Sequence, residues 1–183
     1  MKVSLNEVRK FTDVDVSVED LVQKIGAQLG AVETVESTGD KYSDVVVAKV
    51  VSCEKHPNAD KLSVCMIDDG GAVQDIERTD GLVQVVCGAP NVREGLTVAW
   101  IHPGATVPST YDAEPFVLGA RELRGVVSNG MLASPSELAI SDNHDGILEI
   151  DEDAQPGTEF KRLYNLDDLV IEIENKMFTH RPD

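Results

Sequence analysis

Between residues 45 and 150 the chain repeats one pattern: a short run of Val, Ile, Leu and other apolar residues, then a break of Gly, Pro, Asn or Asp. Each run is too short for a helix, and each break carries turn chemistry. Strands are expected at 45–53, 62–67, 82–87, 97–101, 116–118, 122–127 and 146–150. Asp68-Asp69-Gly70-Gly71 supplies the turn that ends the second. Ser134 and Pro135 fit the cap and first position of one short helix over 134–138. Many short strands at this spacing imply a small barrel or sandwich.

The flanks read differently. Ser4 and Glu7 fit a capping box that opens a helix running to Phe11. Ser17 and Asp20 offer a second start, after which Val18, Leu21, Val22, Ile25 and Leu29 fall on one helical face, with Gly30 as the stop. Residues 31–36 read as extended and 37–40 as a linker. Residues 167–174 alternate, with Leu169, Ile171 and Ile173 on one side, as in a half-buried strand. That strand needs a sheet, and 31–36 is the available partner. The expected fold class is therefore α+β and mostly β, with the β segment inserted into a small discontinuous α+β domain. Thr179-His180-Arg181-Pro182-Asp183 is a polar run without a closing element, and reads as a boundary within a longer protein.

Charge narrows the function. The 183 residues include 33 acids and 16 Lys plus Arg, a formal net charge of -17. Affinity for a polyanion comes mainly from Lys and Arg releasing counterions, so a surface that grips phosphates throughout is disfavoured. Aromatics are 4% of residues, too few for a single-strand binder built on stacked rings. No basic domain hides inside the acidic average. Residues 44–150 hold seven Lys and Arg against sixteen acids, a net charge of -9, and the flanks before and after carry -3 and -5. Three cysteines make no disulfide framework and point to a reducing compartment, with the cytosol as default. The N-terminus has no secretory pattern, and no apolar run approaches the ~20 residues that span a membrane.

The local motifs admit modest readings. His56-Pro57-Asn58-Ala59-Asp60-Lys61-Leu62 is a turn between strands, structural in itself, with Lys55, His56 and Lys61 as ligand candidates. The small residues of Cys87-Gly88-Ala89-Pro90-Asn91-Val92 allow close backbone approach, for packing or for a ligand. Arg121 and Arg124 are expected to share one face of a strand and could hold a phosphate, although exposed arginines are ordinary surface. Cys53 and His56 have ligand-like spacing. Cys65 and Cys87 sit in apolar runs as small hydrophobes, so no metal site is assigned. The acidic pairs Asp68-Asp69 and Asp167-Asp168, and the run Asp151-Glu152-Asp153, read as turn and solvated-face charges. No catalytic constellation and no Gly-rich phosphate loop is visible.

Taken in order, Val47-Ala48-Lys49-Val50, the 56–62 turn, the 87–92 motif, Pro103-Gly104-Ala105 and Arg124-Gly125-Val126-Val127-Ser128-Asn129-Gly130-Met131 resemble the EMAP-like tRNA-binding OB fold. The flanks narrow the resemblance. The opening Met1-Lys2-Val3-Ser4-Leu5-Asn6-Glu7-Val8, the strand returning after the barrel and Phe178-Thr179-His180-Arg181-Pro182-Asp183 are similar to the start of the bacterial phenylalanine–tRNA ligase β chain. That family typically has Asn where His180 stands, and Gly where Ala139 stands. The 68–81 stretch is longer than the family's usual turn and carries five acids and one Arg.

The resemblance implies a five-stranded OB barrel over 43–150. Residues 1–42 and 151–183 would be the two halves of the α+β domain, truncated at its end. It implies membership of a cytoplasmic (αβ)2 ligase that charges tRNA with phenylalanine using ATP and magnesium. Catalysis would lie on the α chain, and editing and anticodon recognition in later β-chain domains. This portion would be non-catalytic, with no cofactor or metal of its own, partnered by tRNA, the ligase α chain and the rest of the β chain. The candidate phosphate contacts are Lys55, Lys61, Arg93, Arg121 and Arg124, with hydrogen bonds from Asn91 and Ser128. Two alternatives are a structural spacer or docking module without RNA contact, and a free-standing tRNA-binding OB protein.

Overall fold

A computed structural model describes residues 1–150 and 153–174 of the chain. The chain opens with β1 (Lys2–Ser4), α1 (Leu5–Arg9), α2 (Val18–Gln28) and β2 (Val32–Ser37). The central segment holds β3 (Val45–Lys55), β4 (Ser63–Asp68), β5 (Val83–Cys87) and β6 (Thr97–Ile101). It continues with β7 (Arg121–Leu123), β8 (Val126–Ser128), β9 (Met131–Leu132) and β10 (Glu149–Ile150), then α3 (Phe160–Leu163) and β11 (Leu169–Ile173). The contacts divide into two compact units. One combines 1–40 with the described residues from Asn165 onward, and the other spans Lys41–Tyr164.

The first unit is a three-stranded antiparallel sheet in the order β1-β11-β2. β11 lies against β2 from Leu169↔Ser37 to Ile173↔Val32, and against β1 from Lys2↔Glu172 to Ser4↔Val170. β1 was not legible in the sequence, because the capping signal at Ser4 drew its neighbours into a helix. The cap itself forms: the Ser4 hydroxyl accepts from the Glu7 amide at 3.1 Å, and Ser17 accepts from the Asp20 amide at 3.1 Å. Asp168 corrects the expectation of a solvated acid. Its carboxylate accepts from the Ser4 hydroxyl at 2.6 Å and the Asn6 amide at 2.9 Å, tying the start of α1 to β11. Burial alone would raise its pKa, but these hydrogen bonds hold it below the ordinary carboxylate value.

In the second unit, alternation along the strands builds the core. Val46, Ala48 and Val50 of β3, Cys65 and Ile67 of β4, Val83 and Val85 of β5, and Val98 and Trp100 of β6 point into one buried cluster. The strands run β10-β6-β3-β4-β5, with β9 also on β6. The circuit then closes. The Asn129 amide donates to Gln84 O at 2.9 Å, and the Val86 amide to the buried Ser128 hydroxyl at 2.9 Å. A few residues on, β9 pairs with β6 through Trp100↔Leu132 and Ile101↔Met131. Gly130 makes this tight passage with φ 94, and a side chain there would collide with Ile101 O and Trp100 Nε1. Outside the cluster, Phe160 of α3 is fully buried and meets the Tyr42 ring at 5.8 Å.

Several expected elements are shorter or different. Residues 116–118 form no strand, only a bridge from Val117 to Thr106. The expected strand over 122–127 is a hairpin instead, β7 paired with β8 around Arg124-Gly125. The expected helix at 134–138 is a single turn. Its capping bonds are present, with the Ser134 hydroxyl donating to Glu137 Oε2 at 2.6 Å. Ala139 then turns left-handed with φ 53, a conformation that favours glycine. At 146–150 only Glu149 and Ile150 pair. Among the described residues, no helix is long and apolar enough to cross a membrane.

The long acidic stretch after β4 is ordered by one ion pair. Asp69 is fully buried, not a solvated turn charge. Arg78 grips it with two bonds, Nη1 to Oδ1 at 2.6 Å and Nη2 to Oδ2 at 3.0 Å. The amides of Gly71 and Val73 donate to the same carboxylate. Arg78 also donates to Val73 O and Gly81 O, closing the stretch into a knot. Burial pushes Asp69 up, but the Arg78 hydrogen bonds, the two amides and the guanidinium charge outweigh it and hold the carboxyl low. Stability from this group is therefore present above its unfolded value, about 3.9, and is lost as pH falls through its lower folded value. Arg78→Met leaves Asp69 buried and unpaired, and is expected to cost ~3–5 kcal/mol near neutral pH. In denaturant titrations across pH, that deficit should shrink below about pH 4, because protonation then removes the uncompensated charge. A deficit that stays constant with pH would contradict the assignment.

Candidate nucleic-acid interface

The β7–β8 hairpin is positioned by its turn. Arg124 and Gly125 have φ values of 50 and 90, the double left-handed geometry that suits the right-handed twist of a two-residue hairpin. Gly tolerates this freely, and Asn is the residue the geometry favours at the first position. Arg124 therefore occupies a backbone position that its side chain does nothing to stabilise. The turn also corrects the expectation that Arg121 and Arg124 share a face. They are three positions apart, so an unbroken strand would have put them on opposite faces, and Arg124 lies in the bend. Arg121, Glu122, Leu123 and Arg124 are all exposed.

Two side chains of the 56–62 turn tie it to this hairpin. His56 is buried. Its Nδ1 accepts from the Asn58 amide at 3.0 Å, so the neutral ring carries its proton on Nε2 and donates it to Leu123 O at 3.0 Å. The Asn58 side-chain amide donates to Arg124 O at 3.0 Å. The loop flanked by Lys55 and holding Lys61 is thus pinned to the turn holding Arg124. Lys55 and Lys61 are exposed. Among the described residues, no carboxylate forms a recorded ion pair with Lys55, Lys61, Arg121 or Arg124. Arg121 rests over the Phe116 ring, 5.5 Å from its centroid, which holds the guanidinium without neutralising it.

The other three candidates are occupied by the fold. Ser128 is buried, accepting from the Val86 amide and donating to Gly130 O at 2.9 Å. Asn91 brackets Ile147, donating to its carbonyl and accepting from its amide, both at 3.0 Å. Arg93 clasps Glu149 with bonds of 3.0 and 2.9 Å. The Arg93 and Asn91 hydrogen bonds hold Glu149 below the ordinary carboxylate value. Asn91 and Arg93 are engaged with β10 and the residues leading into it, while Ser128 lies opposite Arg121 in the hairpin but spends its hydroxyl inward on Val86 and Gly130. Beside the hairpin lies a cavity of about 430 Å³, whose walls include Cys87, Pro90, Leu118, Arg121, Leu123 and Met131. Its lining is largely apolar, with Arg121 as its positive charge.

Sequence reasoning did not assign His56 and Asn58 to positioning the hairpin. The partners are 67 and 66 residues away, and no local pattern announces such a contact. His56→Ala removes two hydrogen bonds from a buried site and is expected to cost ~2–3 kcal/mol. Hydrogen exchange should show lost amide protection in both the 56–62 loop and the 121–128 hairpin. Protection lost in the loop alone would show that the two are not coupled.

The sequence has known relatives. Residues 45–159 match the family model described as "Putative tRNA binding domain". The chain is 43% identical over 173 residues to a phenylalanine–tRNA ligase beta subunit of Yersinia pestis, covering 94% of this chain and 20% of that protein. A protein of the same description from Rhodopseudomonas palustris is 40% identical over 173 residues, again with 94% and 20% covered. One from a Synechococcus strain is 39% identical over 187 residues, covering 100% of this chain and 21% of the relative. The chain thus spans about a fifth of the length of the curated relatives it matches. With the family model covering most of the chain, from the first barrel strand to the edge of α3, the protein belongs to the tRNA-binding domain family.

Proposed function

We propose that this chain is the N-terminal, non-catalytic region of a phenylalanine–tRNA ligase β subunit, and that its barrel makes a local accessory contact with tRNA phosphates. The contact is formed by Lys55, Lys61, Arg121 and Arg124. One observation carries this assignment. The loop–hairpin tie gathers the elements bearing these four cations, and none of the four has a recorded ion pair among the described residues. Arg93, by contrast, is taken by Glu149. Arg124 adds support, because its exposed side chain does nothing to stabilise the left-handed turn position it occupies and is free for use outside the fold. Asn91 and Ser128, with their polar atoms engaged in the barrel, act behind the surface.

In this reading 43–150 is the OB module, inserted between 1–42 and 151–183 as the halves of a small α+β domain. The whole enzyme charges tRNA with phenylalanine in the cytoplasm, and its partners are the ligase α chain and the rest of the β chain in an (αβ)2 assembly. ATP and magnesium belong to that enzyme. Among the described residues, no group of three His, Cys, Asp or Glu side chains could hold a metal ion, and we assign no step through ATP or magnesium to this region. A spacer or docking role without RNA contact is the second reading, favoured by the net charge of -9 over residues 44–150.

Charge removal that spares the fold separates the two readings. Arg124→Asn suits the turn geometry, and Arg121→Ala removes an exposed side chain. The double variant should keep the parent's unfolding midpoint and bind tRNA about 10-fold more weakly at low salt, the loss expected for two phosphate contacts. Arg93→Ala should leave affinity unchanged. Equal affinity for the parent and the double variant would favour the spacer reading.

A further inference from the structure

Cys53 and Cys65 face each other across β3 and β4. The ladder register defines what kind of pair they make. The His56 amide donates to Leu62 O at 3.0 Å, marking 56–62 as a hydrogen-bonded position. Bonded and non-bonded pairs alternate along an antiparallel ladder. Lys55–Ser63 is then non-bonded, Glu54–Val64 bonded and Cys53–Cys65 non-bonded. Non-bonded pairs bring their Cα atoms closest, to about 4.5 Å, inside the ~4.4–6.8 Å that a disulfide spans. The side chains agree with the register. The Cys65 thiol donates to Cys53 Sγ at 3.7 Å, so the two sulfurs already touch.

We propose that Cys53 and Cys65 form a reversible oxidation site, closed to a cross-strand disulfide by a small-molecule disulfide. The two thiols are not equivalent. Cys53 is half-buried, and its thiol donates only a long contact to Val92 O at 3.9 Å. Cys65 is fully buried. Burial pushes its thiol up, and the neighbouring Cys53 adds to the rise. Cys53 is therefore the entry point. Its thiolate attacks one sulfur of the reagent RSSR, forming a mixed disulfide and releasing RS⁻. Cys65 then loses its proton and attacks Cys53 Sγ, forming the Cys53–Cys65 bond and releasing the second RS⁻. The protein gives up two protons and two electrons, and the reagent leaves as two thiols. Cys87 is the internal control. It is buried on β5, its sulfur accepts from the Ala89 amide at 3.4 Å, and burial pushes its thiol up. The closed bond would staple the two strands immediately before the loop that holds Lys61.

The test uses the 183-residue chain with oxidised glutathione, followed by alkylation under denaturing conditions and peptide mass mapping. The expected product has lost two hydrogens, carries no glutathione, links the peptides of Cys53 and Cys65, and leaves Cys87 open to alkylation. Its thermal midpoint should rise by about 5–10 °C and return to the starting value with dithiothreitol. In Cys65→Ala, with native circular dichroism as the check on folding, the reaction should halt with one glutathionyl group on Cys53. A parent protein that also halts there, a link through Cys87, or no reaction at Cys53 would each overturn the proposal. Should Cys65→Ala fail to fold, the parent's product map alone decides.

Discussion

One strand holds the barrel together. β3 is eleven residues long, and it changes neighbours along its length. Its first half pairs with β6 and its second half with β4, and the handover falls where the register slips between Val50 and Ser52. An extra residue on one strand bends it and increases its twist. That bend lets a single strand serve two walls of a closed sheet. It also explains the burial pattern: 45–48 are buried on both sides, while Val51, beyond the bend, is 42% exposed. Continuing from the bend, β3 delivers Lys55 and His56 to the rim where the hairpin docks. The position of the basic group is thus a consequence of how β3 curves.

Most of this architecture was legible because periodicity reports burial directly. The alternating strands 45–53, 62–67, 82–87 and 97–101 all fold close to their expected limits. The half-buried pattern of 167–174 correctly asked for a neighbour, and β2 is one of its two. The failures share a cause. Asp69 and Asp168 look like solvated acids in sequence because their partners are remote or hidden in a loop. Asp168 reaches back 164 residues to Ser4, and Asp69 takes an arginine from a stretch that reads as plain acidic linker. The hairpin was missed because Arg-Gly is not among the usual turn pairs, and only the backbone reveals that Arg124 accepts a left-handed conformation.

The candidate site was legible by half. Sequence could name Lys55, Lys61, Asn91, Arg93, Arg121, Arg124 and Ser128, but a residue's type does not reveal what its polar atoms are already doing. Asn91, Arg93 and Ser128 are spent on internal bonds around Glu149, Ile147 and Val86. The remaining four lie on a loop and hairpin joined by His56 and Asn58. A molecule of net charge -17 can still approach a polyanion where a few cations form no ion pair with its own described acids. The cost is reach: within one Debye length, about 10 Å at 0.1 M salt, the acids Glu54, Asp60 and Glu122 adjoin these cations in sequence and weaken the attraction.

The central claim is that tRNA contact is local and limited to four cations. The salt dependence of tRNA affinity measures the number of phosphates neutralised. The logarithm of the association constant, plotted against the logarithm of salt concentration, should fall with a slope of about -3 to -4. A slope near zero, or one twice as steep, would contradict a four-cation contact.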